Sequence, residues 1–137
     1  MTLRVSIILA LSGGAMIASC STTPVQEARS PKADRELADA LAGRTPGPPV
    51  RCLANYRTTH MEVIDDYTIL YREGRTIYLQ KPRGGCRGLK NGIYTLVTRK
   101  YGTNQICDSD INRLIDLRTG MGGGSCMFEP FIPYTKS

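Results

Sequence analysis

Side chains that build reactive sites are scarce in this chain: there is one histidine, His60, and no C-x-x-C pair. That shortage argues against a zinc centre, whose ligands are cysteines and histidines at close spacings. The run Gly120-Met121-Gly122-Gly123-Gly124-Ser125 lacks the lysine of a phosphate loop, and no parallel βαβ pattern surrounds it. It reads as a loop feeding Cys126. Ser125 has no strand-to-helix elbow around it, which removes it as a nucleophile. Asp108-Ser109-Asp110-Ile111-Asn112 matches the first, third and fifth ligand positions of a calcium loop. Arg113 then stands where that loop needs glycine, and Thr119 where it needs glutamate. Asp65-Asp66 is a carboxylate pair, but adjacent strand residues point to opposite faces, and in a turn both would be solvated. Acid–base catalysis needs carboxyls that converge on one substrate. The sequence therefore calls for no catalytic residue, no metal and no cofactor. A small hydrolase, the least favoured reading, would require His60, Asp65 or Asp108 to meet in one pocket.

A long apolar run is missing as well. Val5 to Leu11 falls short of the about 20 apolar residues that a permanent membrane helix needs. Arg4 precedes it, and the small residues Ser12-Gly13-Gly14-Ala15 follow, then Ile17-Ala18-Ser19-Cys20. That order is an export signal over residues 1–19. Its last four residues match a lipobox: one aliphatic residue, two small ones, then cysteine. Small side chains suit the narrow site of a signal peptidase, and a thiol at the new N-terminus accepts lipid. The expectation is a lipoprotein of the cell envelope, anchored to the membrane through lipid on Cys20. In Gram-negative lipoproteins an aspartate after the cysteine favours inner-membrane retention. By that resemblance Ser21 implies the periplasmic face of the outer membrane.

The chain has five cysteines. Assigning Cys20 to lipid leaves Cys52, Cys86, Cys107 and Cys126, an even set that reads as two disulfides in an oxidising compartment. Four cysteines permit three connectivities, and the spacing leaves all three open.

Acidic residues are rare in one stretch. Between Arg72 and Lys100 stand Arg72, Arg75, Lys81, Arg83, Arg87, Lys90, Arg99 and Lys100, against the single acid Glu73. The formal net charge of +6 becomes about +5 when Arg4 leaves with the signal. Basic surfaces attract anions. Export sets nucleic acid aside and leaves acidic lipid, acidic glycan or an envelope protein as the partner. The plainer reading of the same residues is a set of solvated hairpin rims.

Three zones follow the signal. Residues 20–29 are polar and irregular, as suits a tether. Residues 30–49 hold a short helix and a Pro-rich linker. Ser30 can cap the helix, Pro31 fits its first position, Gly43 can end it, and Leu37 and Leu41 share one face. Arg44-Thr45-Pro46-Gly47-Pro48-Pro49 is a stiff break, where the domain boundary is placed. From residue 50 to 137 the period is two. Tyr67, Ile69 and Tyr71 alternate as on a strand with one buried face, Glu73-Gly74 makes a tight turn, and Thr76 to Gln80 returns. Residues 81–90 read as loop, Asn91-Gly92 as a turn, and Ile93 to Arg99 and Leu114 to Leu117 as strands. Met127 to Tyr134 closes the domain, with Pro133 confining it to an edge or an end. The expected fold is mainly all-β, a small antiparallel barrel or sandwich of six or seven strands, with one short N-terminal helix and two disulfides. In so small a core, disulfides that each contribute about 2–4 kcal/mol matter. The seven tyrosines read as layers of that core more readily than as a binding groove.

The runs Leu41-Ala42-Gly43-Arg44-Thr45, Val63-Ile64-Asp65-Asp66-Tyr67-Thr68-Ile69-Leu70-Tyr71, Arg83-Gly84-Gly85-Cys86 and Phe131-Ile132-Pro133-Tyr134 together resemble a family. It is a domain-of-unknown-function family of small exported Gram-negative proteins, and the resemblance extends from about Leu37 to the C-terminus. Its motifs are turns and strand ends, so it implies no activity and no site residues. It does imply a pairing. Relatives have equivalents of Cys52 and Cys107 while lacking those of Cys86 and Cys126, which fits Cys52–Cys107 and Cys86–Cys126.

The leading expectation is a non-catalytic envelope lipoprotein whose β domain binds or supports another envelope component. The alternative is a periplasmic protein inhibitor, since small disulfide-bonded β lipoproteins include inhibitors of lysozyme. Lysozymes are usually basic, so a basic inhibitor would be repelled from its target.

Overall fold

The computed structural model describes residues 28–54, 60–100 and 102–137. The export signal, Cys20, Tyr56, Tyr101 and all of the tether but Ala28 and Arg29 lie outside the described residues.

The first element among the described residues is helix α1, Pro31–Leu41. The Ser30 hydroxyl accepts the Ala33 N–H at 3.2 Å, and Pro31 occupies the first turn, where no intrahelical donor is needed. Strands follow: β1 (Arg44–Pro46), β2 (Cys52–Ala54), β3 (His60–Asp65), β4 (Thr68–Glu73), β5 (Thr76–Gln80), β6 (Tyr94–Thr98), β7 (Gln105–Cys107), β8 (Ile111–Asp116), β9 (Gly122–Met127) and β10 (Ile132–Lys136). They form three antiparallel sheets, ordered β1-β10-β5-β4-β3, β2-β7 and β6-β8-β9. The mainly β architecture with one helix is as the sequence predicts. The ten strands among the described residues exceed the expected six or seven because several are only three residues long.

Two apolar cores lie on the two faces of the five-stranded sheet. On one face Ile69 and Tyr71 of β4 join Leu53, Leu89, Leu114, Phe128, Phe131 and the Cys86–Cys126 bridge. On the other, Leu70 joins Ile64, Ile77, Leu79 and Ala33, flanked by Leu37, Ala40 and Leu41 of α1. The sheet therefore lies between the helix and the two smaller sheets. Strand β4 is buried on both faces, not on one as its alternation suggested, because α1 covers the second. Burying a large apolar side chain contributes roughly 1.5–3 kcal/mol, so α1 is held by docking more than by its own propensity.

Three rings meet edge to face in the first core. Tyr71 lies 6.3 Å from Phe128 and 5.8 Å from Phe131, and the two phenylalanines are 5.8 Å apart. The Tyr71 hydroxyl is buried without a hydrogen-bond partner among the described residues, and burial pushes its phenol well above the usual range. Buried Gln80 is satisfied by backbone: its side-chain N–H donates to the Glu129 carbonyl at 2.5 Å, and its oxygen accepts the Glu129 N–H at 2.9 Å.

Four local readings are corrected. Arg44–Pro46, read as a stiff break, is a strand paired with β10, so the run taken as a boundary is part of the sheet. Strand β10 is interior, between β1 and β5, despite Pro133. A residue's N–H and C=O point to the same side of a strand, and the Pro133 carbonyl accepts the Gly47 N–H at 2.7 Å. The donor that proline lacks therefore falls beyond the end of β1, where no ladder bond is lost. The turn between β4 and β5 is Gly74-Arg75, one residue later than read, with Gly74 at φ 54°. Finally, the glycine run is loop only at Gly120 and Met121; Gly122 to Ser125 belong to strand β9.

The pairing implied by the family resemblance is the one observed. Cys52 and Cys107 are direct partners across β2 and β7, with Cα atoms 4.0 Å apart. Cys86 and Cys126 join the loop after β5 to β9, with Cα atoms 5.3 Å apart.

Candidate functional site

The basic stretch from Arg72 to Lys100 is dispersed by the fold. Carboxylates from other parts of the chain meet half of it. Arg72 donates to Glu62 at 2.7 and 3.0 Å, across the β3–β4 pair. Arg83 meets Glu129 at 2.6 Å, and Lys90 reaches both Glu36 of α1 at 3.2 Å and the Val63 carbonyl at 2.9 Å. Lys100 pairs with Asp110. Arg75, at the β4–β5 turn, donates to the Lys136 carbonyl at 3.2 Å, and its own carbonyl accepts from Arg44. Lys81, Arg87 and Arg99 have no carboxylate partner among the described residues and are exposed.

A cleft of about 610 Å³ opens where the chain enters α1, lined by Arg29, Ser30, Asp65, Asp66, Tyr67, Lys81 and Lys90. Its acids are not the solvated pair that the sequence suggested. One Asp66 oxygen accepts the Gly88 N–H and the other the Lys90 N–H, each at 3.0 Å. The Asp66 carbonyl also accepts the Cys86 N–H at 2.6 Å, so this residue shapes the loop over 86–90. Asp65 accepts the Tyr67 N–H at 2.8 Å and the Arg29 Nε–H at 2.6 Å, while Arg29 also donates to Thr68 Oγ1 at 2.6 Å. Charge-assisted bonds of this kind are about twice as strong as neutral ones, and both carboxylates are spent on structure. Lys81 is the one lining cation with no such tie among the described residues.

Two of the residues that a hydrolase would need are kept apart. His60 and Asp65 stand at opposite ends of β3, about 17 Å apart at a strand's rise. Asp108 is on another sheet's flank, held by Arg51 at 3.1 and 3.2 Å. The calcium-like stretch is also committed. Asp110 accepts the Cys107 N–H at 2.8 Å beside its Lys100 pair, and buried Asn112 accepts from Thr98 Oγ1 at 2.6 Å and donates to the Asp110 carbonyl at 3.2 Å.

The sequence reading missed the outer face of the β6-β8-β9 sheet. Along β8, Asn112 and Leu114 are buried while Ile111 and Arg113 are exposed, so the latter point away from the core. Arg113 is flanked in register by Val97 and Ser125, and Ile111 by Met127. The sequence carries no clear signal for it: Ile111 to Ile115 does not alternate apolar and polar, because the polar Asn112 is buried and the apolar Ile111 exposed.

No family model, curated protein or solved structure matches the chain. What it does must be read from its own residues.

Proposed function

We propose that this chain is an exported lipoprotein of the bacterial cell envelope, anchored through lipid on Cys20, whose β domain is a non-catalytic binding module for an anionic envelope component. One observation carries the reading. The two disulfides use Cys52, Cys107, Cys86 and Cys126 completely, which leaves Cys20 as the odd thiol at the end of a lipobox. Two disulfides also fit an oxidising compartment. The divergence of His60, Asp65 and Asp108, each in a different setting, supports binding over catalysis.

Expression of the chain in a Gram-negative host tests the anchor. After a high-salt wash, which screens electrostatic docking, the protein is expected in the membrane pellet, and Cys20→Ser, exported behind an ordinary cleavable signal, in the soluble periplasmic fraction. Equal fractionation of the two proteins would remove the lipid anchor from the account.

A further inference from the structure

Exposed large apolar side chains are not scattered over the molecule. Of the seven among the described residues, Ile93, Val97, Ile111, Leu117, Met121 and Met127 belong to the β6-β8-β9 sheet and its connections, and Met61 lies elsewhere. Ile111, Leu117, Met121 and Met127 are 64, 64, 69 and 51% exposed. Lone exposed apolar residues are ordinary, but a cluster on one sheet marks a contact surface.

Two arginines stand within this cluster. Arg99 follows the Thr98↔Asn112 pair and so comes alongside Ile111, while Arg113 is the register partner of Val97. Both line a cleft of about 310 Å³ with Ser109, Asp110 and Ile111. The Asp110 carboxylate there is taken by Lys100 and by the Cys107 N–H. Neither Arg99 nor Arg113 has a carboxylate partner among the described residues, although Arg72, Arg83 and Lys90 all do. The face thus alternates cation and hydrophobe: Arg99–Ile111–Met127 in one row and Val97–Arg113–Ser125 in the next.

We propose that the outer face of the β6-β8-β9 sheet docks on a bilayer surface that contains anionic phospholipid. Apolar side chains interleaved with unpaired arginines suit such a surface, the former entering the acyl boundary and the latter meeting phosphate. The docking deepens the lipoprotein reading and rests on it for proximity. The nine residues that follow Cys20 limit the distance from the lipid to Arg29 to about 30 Å. The anchor therefore keeps the domain close to the membrane, and the sheet face sets which side meets it.

Vesicle binding tests the proposal on the mature chain over residues 20–137 carrying Cys20→Ser, which separates docking from anchoring. Binding is expected to phosphatidylglycerol/phosphatidylethanolamine vesicles and not to phosphatidylcholine vesicles. Arg99→Glu with Arg113→Glu should weaken it at least about ten-fold. Lys81→Glu with Arg87→Glu, the same change in net charge, should alter it less than two-fold. Because the chain has no tryptophan, Ile111→Trp supplies a reporter that does not depend on the charge variants. Its emission should shift to the blue with anionic vesicles, while that of Met61→Trp should not. No binding, or equal loss from both charge pairs, overturns the proposal. An Ile111→Trp shift with envelope protein but not with vesicles assigns the face to a protein partner and also overturns it. Failure here, with lipid found on Cys20, leaves the lipoprotein reading standing.

Discussion

The ring of Tyr94 lies where a side chain on Gly123 would stand, across the β6-β8-β9 sheet. Gly88 meets the same ring from the loop before β6. Both glycines are therefore packing residues, and Gly123 leaves room for a ring that reaches over β8 from β6.

Gly123→Ala should destabilise the protein by about 1–3 kcal/mol through overpacking. Combined with Tyr94→Ala, the alanine at 123 should cost much less, because the ring it strikes is gone. Denaturant midpoints of the two single variants and the double variant give the coupling. Strict additivity would show that the close approach has no energetic weight.

The Asp66 carboxylate is expected to hold the loop over 86–90. Asp66→Ala leaves the Gly88 and Lys90 N–H groups without their acceptor and should cost about 2–3 kcal/mol. Asp66→Asn keeps one acceptor oxygen and should cost less. Urea unfolding of both variants checks the order, and equal losses would point to charge alone.

The contrast between Asp66 and β9 shows what the sequence could carry. Helix α1 was legible because its cap, its Pro31 and its i, i+4 leucines are local signals. The β4–β5 hairpin was legible for the same reason, to within one residue at its turn. β9 was not legible, since glycine is depleted in strands and here answers to Tyr94 from β6. The basic stretch misled because neighbouring cations in sequence find their carboxylates in α1, β3 and the segment after β9. Asp65 and Asp66 misled likewise: their partners lie 22 to 36 residues away, at Gly88, Lys90 and Arg29.

The two disulfides should open in order. Cys52 is exposed and Cys107 half-buried, whereas Cys86 and Cys126 are 0 and 3% exposed. Limited reduction of the native protein, alkylation and peptide mass spectrometry should find label first on Cys52 and Cys107. Removing the core bridge as Cys86→Ala with Cys126→Ala should cost about 4 kcal/mol by loop entropy at its sequence separation of 40. Label appearing first on Cys86 or Cys126 would contradict the assigned burial.

Asp116 makes the β8–β9 turn sensitive to acid. Its side chain accepts the Thr119 N–H at 3.0 Å and the Arg118 N–H at 2.7 Å, and these bonds lower its pKa below the ordinary value. A group depressed in the folded state stabilises above its unfolded pKa and loses that contribution as pH falls through the folded one. The stability difference between the protein and Asp116→Asn should therefore shrink on acidification below the usual carboxylate range. Parallel urea titrations from neutral to acid pH check it, and a constant difference would show that the two bonds do not depend on ionisation.

Peptide mass spectrometry of the membrane-extracted protein tests the lipid anchor on Cys20 without an intermediate assay. The N-terminal tryptic peptide is predicted to begin at Cys20, end at Arg29 and carry lipid on Cys20, with residues 1–19 removed. An unmodified Cys20, or a mature N-terminus elsewhere in the chain, would contradict the account.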